Sequence, residues 1–269
     1  MMRELGEVLK TWQGTEDVPV AFSTLYSDIG KQFYTAHGWH PFPSTHVEFP
    51  AACENAPIPA KTLTEEDLAT LCQEDEEMIK KSLLQAKHGK TYVAIAPDMA
   101  HIEWHRAREI FLTEKLFGKV PDVRGALVGE PGSRVWAIWT RSYYGPVEDK
   151  KVANTLHILR LVIEDEEPES QLSGANGEAV YDEERLRKQA EKLKAVVQAA
   201  QKEAREWKAR HVELWNPSGL VKQLVQRIGI EHSEVEREKE SIASIMWYGA
   251  GTGKTDEIEW VKNEKYGWC

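Results

Sequence analysis

Apolar positions recur every three or four residues in the opening segment MMRELGEVLKTWQG. Leu5, Val8, Leu9 and Trp12 share one face, which predicts a helix that Gly14 is placed to end. No Ser, Thr, Asp or Asn precedes it as a cap. The run VPVAFST has strand character, and DIGKQFYTAHG predicts a short helix opened by Ser27 or Asp28 and closed by Gly38. WHPFPSTHVEFP, residues 39–50, predicts an extended edge segment, because its prolines remove backbone donors. From Thr64 a new helix is expected, with Asp67 in a capping-box position. Leu68, Leu71, Met78, Ile79, Leu83 and Leu84 mark its apolar faces, with a break near Glu74.

KTYVAIA predicts a strand, and Asp98 caps a helix running to about Gly118. RGALVGEPGSRVWAIWTRSYYG predicts a β-hairpin turning at GEPGS, and the apolar run of NTLHILRLVIED predicts a central strand. Residues 164–178 are acidic and rich in Ser and Gly, which predicts a loop with a solvated acidic run at Glu164–Glu167. A long helix is expected from about Asp182 to Lys208. HVELWNPS predicts a strand followed by a helix start, with Asn216 as cap and Pro217 in the first turn. SIASIMWYG and DEIEWV predict a closing hairpin around GAGTGKT. Strands and helices alternate without a repeat of solenoid period, so the fold class is α/β (α+β).

Composition narrows the function classes. The protein has 269 residues, 41% hydrophobic and 29% charged, the range of ordinary globular proteins. Its net charge of −10 disfavours nucleic-acid binding, which needs a basic face against phosphate. No apolar run approaches the roughly 18 residues of a membrane span, and no signal peptide is evident. Cys53, Cys72 and Cys269 are odd in number and far apart, which points to a reducing compartment; a cytoplasmic location is expected.

Two motifs invite chemistry and fail on spacing. GAGTGKT needs a glycine at 248 to be a P-loop, where Tyr248 stands, and no helix pattern follows. HIEWH spaces His101 and His105 four apart, but Ile102 holds the glutamate position of the zincin pattern and Glu103 comes one residue late. No metal site is expected.

The stretch STLYSDIGKQFYTAHGWHPF carries a different signal. Ser27, Gly30, Phe33, Tyr34, Gly38 and Trp39 stand at offsets that resemble the late motif of the GNAT acetyltransferase superfamily, Asn-x-x-Ala-x-x-Leu-Tyr-x-x-x-Gly-Phe. Tyr34 and Gly38 match outright; Ser, Gly, Phe and Trp replace Asn, Ala, Leu and Phe. With WHRAREIF, VELWNPS and the terminal NEKYGW, the sequence resembles fungal lysine acetyltransferase-like proteins, built as two GNAT-like halves.

The resemblance implies a GNAT-like mixed sheet flanked by helices. Residues 1–50 would be the last part of a catalytic domain, 51–63 a linker, and 64–269 a second, degenerate GNAT-like domain. It implies acetyl transfer from acetyl-CoA to a small-molecule amine, with the side-chain amine of lysine as the family's acceptor. Tyr34 would protonate the leaving thiolate, a role that competes with plain packing beside Phe33. Ser27, Asp28, Gly30 and Phe33 would line the cofactor side. The family's glycine-rich pyrophosphate turn precedes the first helix and is absent here, so the protein is expected to be N-terminally truncated and impaired as an enzyme. The other reading that these residues leave open is a non-catalytic scaffold or interaction protein. Oligomeric state is not legible.

Overall fold

The computed structural model describes residues 1–15, 17–52, 59–85, 89–149, 151–166 and 182–268. The first fifty residues form α1 (Met2–Leu9), β1 (Phe22–Ser27), α2 (Lys31–Thr35), β2 (His40–Pro41) and β3 (Thr45–Pro50). Then come β4 (Lys61–Leu63), α3 (Glu65–Gln85), β5 (Thr91–Val93), α4 (Met99–Phe117), β6 (Gly125–Val128), β7 (Val135–Ser142) and β8 (Thr155–Ile163). The last part holds α5 (Glu183–Glu206), β9 (His211–Trp215), α6 (Gly219–Arg227), β10 (Ser233–Glu236), β11 (Ile242–Trp247) and β12 (Ile258–Trp260), and ends with a 3-10 turn at Lys265–Gly267.

A seven-stranded sheet runs in the order β10-β3-β9-β8-β7-β6-β4. All neighbours are antiparallel except β8 and β9, which run parallel and are linked through α5, as a parallel pair requires a crossover. One face packs under α5 and α6: Val47, Phe49, Leu156, Ile158, Val212 and Leu214 meet Leu193, Val196 and Leu224 in one buried cluster. On the other face, Leu68, Leu71 and Ile102 of α3 and α4 cover Trp136, Ile138 and Leu159. Helices therefore flank the mixed sheet on both sides, as expected for the fold class. A smaller sheet, β1-β11-β2, and the pair β12-β5 share a third cluster around Phe42, Ile245 and Trp260.

Charged side groups inside this frame are paired. Arg141 is fully buried and meets Glu109 of α4 at 2.9 Å and Glu203 of α5, which ties both helices to β7. Arg160 takes Asp75 with both sides of its fork, at 2.7 and 2.8 Å, a bidentate geometry lysine cannot copy.

Several expectations change. Residues 45–50 are no edge: β3 lies between β10 and β9, because Pro41 and Pro43 precede the strand and Pro50 ends it, leaving its interior donors intact. The closing hairpin does not form. Strand β11 pairs with β1 and β2, and β12 pairs in parallel with β5. Buried Ile242, Ala243 and Ile245 on consecutive faces make β11 a central strand, which needs partners on both sides. Helix α3 runs unbroken through Glu74, whose carboxylate reaches Arg134 while Asp75 turns inward. Helix α6 is capped by Ser218, not Asn216. Leu5, Val8 and Trp12 are exposed, and α1 instead contacts the fold through Gly6, where a Cβ would meet Met246 sulfur at 2.5 Å.

The strands of residues 1–50 interleave with strands from the C-terminal part: β1 and β2 flank β11, and β3 lies inside the large sheet. No sheet closes within the described residues of the first fifty. Of the expected linker, residues 53–58 lie outside the described residues and 61–63 form β4. The start of the acidic run is not solvated: Glu164 binds Arg134 at 2.5 Å, Asp165 accepts from Gln189, and Glu166 is held by Ser218 and Lys262. The remainder, 167–178, lies outside the described residues.

Candidate functional site

Strand alternation builds the site. β3 and β9 each carry the tripeptide His-Val-Glu, at 46–48 and 211–213. Val47, Val212 and Leu214 point into the core under α5 and α6, so His46, Glu48, His211, Glu213 and Trp215 take the opposite face. The register sets Glu48 opposite Glu213, and on β8 His157 stands beside Glu213 from the other side. Two carboxylates directly opposite each other repel. Imidazoles relieve them: His46 Nε2 lies 3.0 Å from Glu48 Oε1, and His211 Nε2 lies 2.9 Å from Glu213 Oε1. Trp215 Nε1 donates to Glu213 Oε2 at 3.1 Å, and His157 Nδ1 is 3.2 Å from the same oxygen.

Burial alone would raise the Glu213 carboxyl, but the imidazoles of His157 and His211 outweigh it and hold it well below the usual carboxylate range. Burial pushes His157 down to about 4, against the pull of Glu213. Near neutral pH the pair is a carboxylate beside a neutral imidazole. His46, Glu48 and Glu213 each offer one ligand atom within 4.8 Å of the others, and this nitrogen-and-oxygen set suits zinc-like ions. The hydrogen bonds above already account for the arrangement without one.

Cations gather on the next position along β9. The Arg237 guanidinium lies 3.6 Å from the Trp215 ring centre, and Lys265 Nζ lies 4.1 Å from it and 3.7 Å from that of Trp268. Both are buried, Arg237 at 7% and Lys265 at 2% exposure. Burial lowers Arg237 to about 10 and Lys265 to about 7, and Arg237 and Arg108 add repulsion at Lys265 while Glu213 and Asp28 oppose the shift. Perturbed titrating groups clustered on one sheet face mark a functional-site candidate.

Three distant segments hold this cluster, and all three are ones that carried the family resemblance. WHRAREIF supplies His105, whose Nε2 lies 3.3 Å from Tyr266 O, and Trp104, which meets Trp268 edge-on at 5.7 Å. VELWNPS supplies Glu213, Trp215 and Asn216, and Asn216 Nδ2 donates to Asn263 O at 2.5 Å. NEKYGW supplies Asn263, Lys265 and Trp268; Tyr26 of β1 donates to Asn263 Oδ1 at 3.0 Å.

The residues singled out from the sequence divide into two groups. Ser27, Asp28 and Gly30 form one turn: Ser27 Oγ donates to Gly30 O at 3.1 Å and accepts from Ile29 N. That turn grips the loop after β10. Asp28 Oδ1 accepts from Ser241 N at 2.9 Å, and Gly30 N donates to Lys239 O at 3.1 Å. The loop begins with Arg237, so these three residues support the cationic part of the site. Phe33 and Tyr34 sit on α2, where Phe33 is 45% exposed and Tyr34 makes edge-on ring contacts with Phe33 at 5.0 Å and Trp39 at 6.3 Å. Neither Ser27 nor Asp28 caps α2; Gly30 stands at its cap with φ of 84°, a conformation that favours glycine.

His101 and His105 do not converge: His101 pairs with Asp98, the cap of α4. In the GAGTGKT loop the amides of Thr252 and Gly253 are occupied by Glu257, so they cradle no phosphate. Sequence reasoning missed Glu213, His157, Arg237 and Lys265. The available signal was the repeated His-Val-Glu, a polar alternation on strands that lie in the sheet interior.

Among the described residues, the starts of α2 and α5 offer no cradle for a coenzyme A pyrophosphate. Helix α2 has five residues, and the Gly30 amide before it is spent on Lys239. Helix α5, which leads into the parallel strand β9, is capped by Asp182 and carries Glu183 and Glu184 in its first turn, charges that repel phosphate at the end that should attract it.

A mixed sheet flanked by helices, with a single parallel pair bridged by α5 and a buried polar face beside that pair, defines an α/β protein of GNAT-like kind. Residues 46–269 match the family described as the LYC1 GNAT-like C-terminal domain, and the protein belongs to that family. Among solved structures it is similar to Saccharomyces cerevisiae N-myristoyltransferase with bound myristoyl-CoA, at 11% identity and a TM-score of 0.34, over 86% of its own length and 55% of that structure's. It thus spans about half the length of the yeast protein. No curated protein matches the sequence.

Proposed function

We propose that the protein serves acetyl transfer from acetyl-CoA to an amine, with the side-chain amine of lysine as acceptor, and that residues 46–269 build the acceptor side. The observation that carries this reading is the buried face where ionised Glu213, neutral His157, Arg237 and Lys265 surround Trp215 beside the parallel pair. An amine attacks a thioester only in its neutral form. Ionised Glu213 offers the ammonium form of the acceptor a counter-charge on this face, whereas His157, lowered to about 4 by burial, stays neutral and is too weak a base to take the proton. By the resemblance alone, Tyr34 would protonate the departing thiolate and Phe33 would line the same side; the ring contacts of Tyr34 are with Phe33 and Trp39. Ser27, Asp28 and Gly30 act by fixing the loop that carries Arg237.

The acids at the start of α5 favour a second reading, a scaffold of GNAT-like build that no longer engages cofactor. One experiment separates the two. Thiol release from acetyl-CoA is followed with a panel of free amino acids, amines and peptides on the 269-residue protein. The enzyme reading expects acetylated lysine, and at least a roughly tenfold slower rate for Tyr34→Phe with the fold intact. Absence of turnover with every amine on the folded protein leaves the scaffold reading.

A further inference from the structure

Two carboxylates meet on the β3–β9 face with a buried imidazole beside them. Glu48 and Glu213 stand directly opposite each other, and His46 Nε2 lies 3.0 Å from Glu48 Oε1. One ligand atom from each of the three lies within 4.8 Å of the other two, and among the described residues no other three His, Cys, Asp or Glu side chains converge this closely. Facing carboxylates away from bulk water repel, and hydrogen bonds from imidazoles relieve only part of that repulsion. A divalent cation between them would cancel both charges at once. The hydrogen bonds that hold the cluster without an ion are the ones an ion would replace.

The cluster is braced for this. His211 Nε2 lies 2.9 Å from Glu213 Oε1 and 3.1 Å from Thr155 Oγ1, and Trp215 Nε1 donates to Glu213 Oε2 at 3.1 Å. Each carboxylate oxygen has a second lone pair, so these bonds orient Glu213 and leave it able to take an ion. His46 is 7% exposed, and its Nδ1 has no hydrogen-bond partner among the described residues. Moving the ring proton to Nδ1 breaks no hydrogen bond on that side and frees the Nε2 lone pair. The way in is open. The Glu48 side chain is 34% exposed, and both Ser233, its partner across the β10–β3 pair, and Pro50, next along its own face, are exposed.

We propose that His46, Glu48 and Glu213 form a binding site for a zinc-like divalent ion, which ties β3 to β9. One imidazole and two carboxylates match zinc in donor type and leave a position for water on the Glu48 side, whereas magnesium prefers an octahedron of oxygens. The site does not rest on the acetyl-transfer reading. Under that reading Glu213 is the counter-charge of the acceptor ammonium, so a bound ion and the acceptor exclude each other.

The test is equilibrium binding to the whole folded protein, freed of metal beforehand and read by calorimetry and by melting temperature. The probes are zinc chloride and magnesium chloride. Zinc is expected to bind as a single ion per protein with micromolar or tighter affinity and to raise the melting temperature. Magnesium is expected to do neither. Glu48→Gln, at the most exposed of the three ligands, should fold and weaken zinc binding at least about tenfold; His46→Gln should weaken it at least as much. His101→Gln, which alters a histidine paired with Asp98 at the start of α4, should bind zinc as the parent does. No zinc binding in the micromolar range, magnesium binding as tight as zinc, full zinc affinity in Glu48→Gln, or loss of binding in His101→Gln would each overturn the assignment. Because binding is read without turnover, the two readings fail separately. Zinc binding without acetylation removes only the enzyme, and acetylation without zinc binding removes only the metal site.

Discussion

Glu48 and Glu213 face each other directly across the antiparallel β3–β9 pair, each with a histidine ring nitrogen within 3.0 Å of a carboxylate oxygen. The two acids are not equivalent. The Glu213 carboxylate arm is 14% exposed and its oxygens meet His211, His157 and Trp215, whereas that of Glu48 is 34% exposed and, among the described residues, meets His46. Glu213→Gln is expected to cost about 1–3 kcal/mol, because it unsettles buried partners. Glu48→Gln should cost less than about 1 kcal/mol, since it also removes a repulsion. Urea unfolding of both variants measures this, and equal losses would contradict the ordering.

Acid sensitivity should follow the buried imidazoles. Burial lowers His157 to about 4 and His105 to about 3, with Lys265 also repelling a proton at both. Their folded values lie below the unfolded 6.5, so the folded state binds fewer protons. The stability these groups permit is fully present above about pH 6.5 and falls as pH drops toward 4. Each contributes a slope of about 1.4 kcal/mol per pH unit in that window. Melting curves between about pH 7 and 4 should steepen accordingly, and His157→Gln should flatten them. A variant with the parent's slope would place the acid transition elsewhere.

The protein should bind acetyl-CoA poorly by itself. Asp182 already satisfies the Glu184 amide, and Glu183 and Glu184 oppose phosphate at the start of α5. Calorimetry is expected to show no binding in the micromolar range. Replacing Glu183 and Glu184 with Gln should improve affinity if these charges are the obstacle. Micromolar binding to the unmodified protein would mean that a cradle exists which neither helix start provides.

Helix α4 is held by an ion pair as well as by buried Ile102, while Phe111 and Leu116 are exposed. Glu109 receives both Arg124, at 2.6 Å, and Arg141, at 2.9 Å, in the interior. Glu109→Ala leaves two buried guanidinium groups short of an acceptor, and is expected to cost about 3–5 kcal/mol. Denaturant unfolding tests it; a loss below about 1 kcal/mol would show that water or Glu203 compensates.

Much of the fold is legible in the sequence, for specific reasons. Helices α3, α4 and α5 declare themselves through Thr64, Asp98 and Asp182 and through their apolar spacing, and β7 and β8 through uninterrupted apolar runs. Pairing partners are not legible. β11 looks like half of a local hairpin, yet it joins β1 at the opposite end of the sequence, because buried strands choose partners by shape and not by sequence distance. The Ser27–Gly30 turn stands out in the sequence, but its contact is with the Lys239–Ser241 loop. Arg237 and Lys265 are invisible because a charged residue in a polar stretch normally reaches water. Only the assembled structure shows that these two do not.

Lys265 gives the last expectation, a stability that rises with pH. Burial lowers its ammonium to about 7, and the surrounding charges divide: Arg237 and Arg108 repel the proton, while Glu213 and Asp28 retain it. His105 of α4 and His157 of β8 face the same region as neutral rings. Because the unfolded lysine titrates near 10.5, the unfolded state binds more protons between about pH 7 and 10.5, and the fold gains stability as pH rises through that range. Lys265→Met should abolish this trend and raise the melting temperature at about pH 6. If the variant keeps the rise in stability between about pH 7 and 10.5, Lys265 is not the titrating group. If it melts lower at every pH, the cation–ring contacts of Lys265 with Trp215 and Trp268 outweigh the cost of its burial.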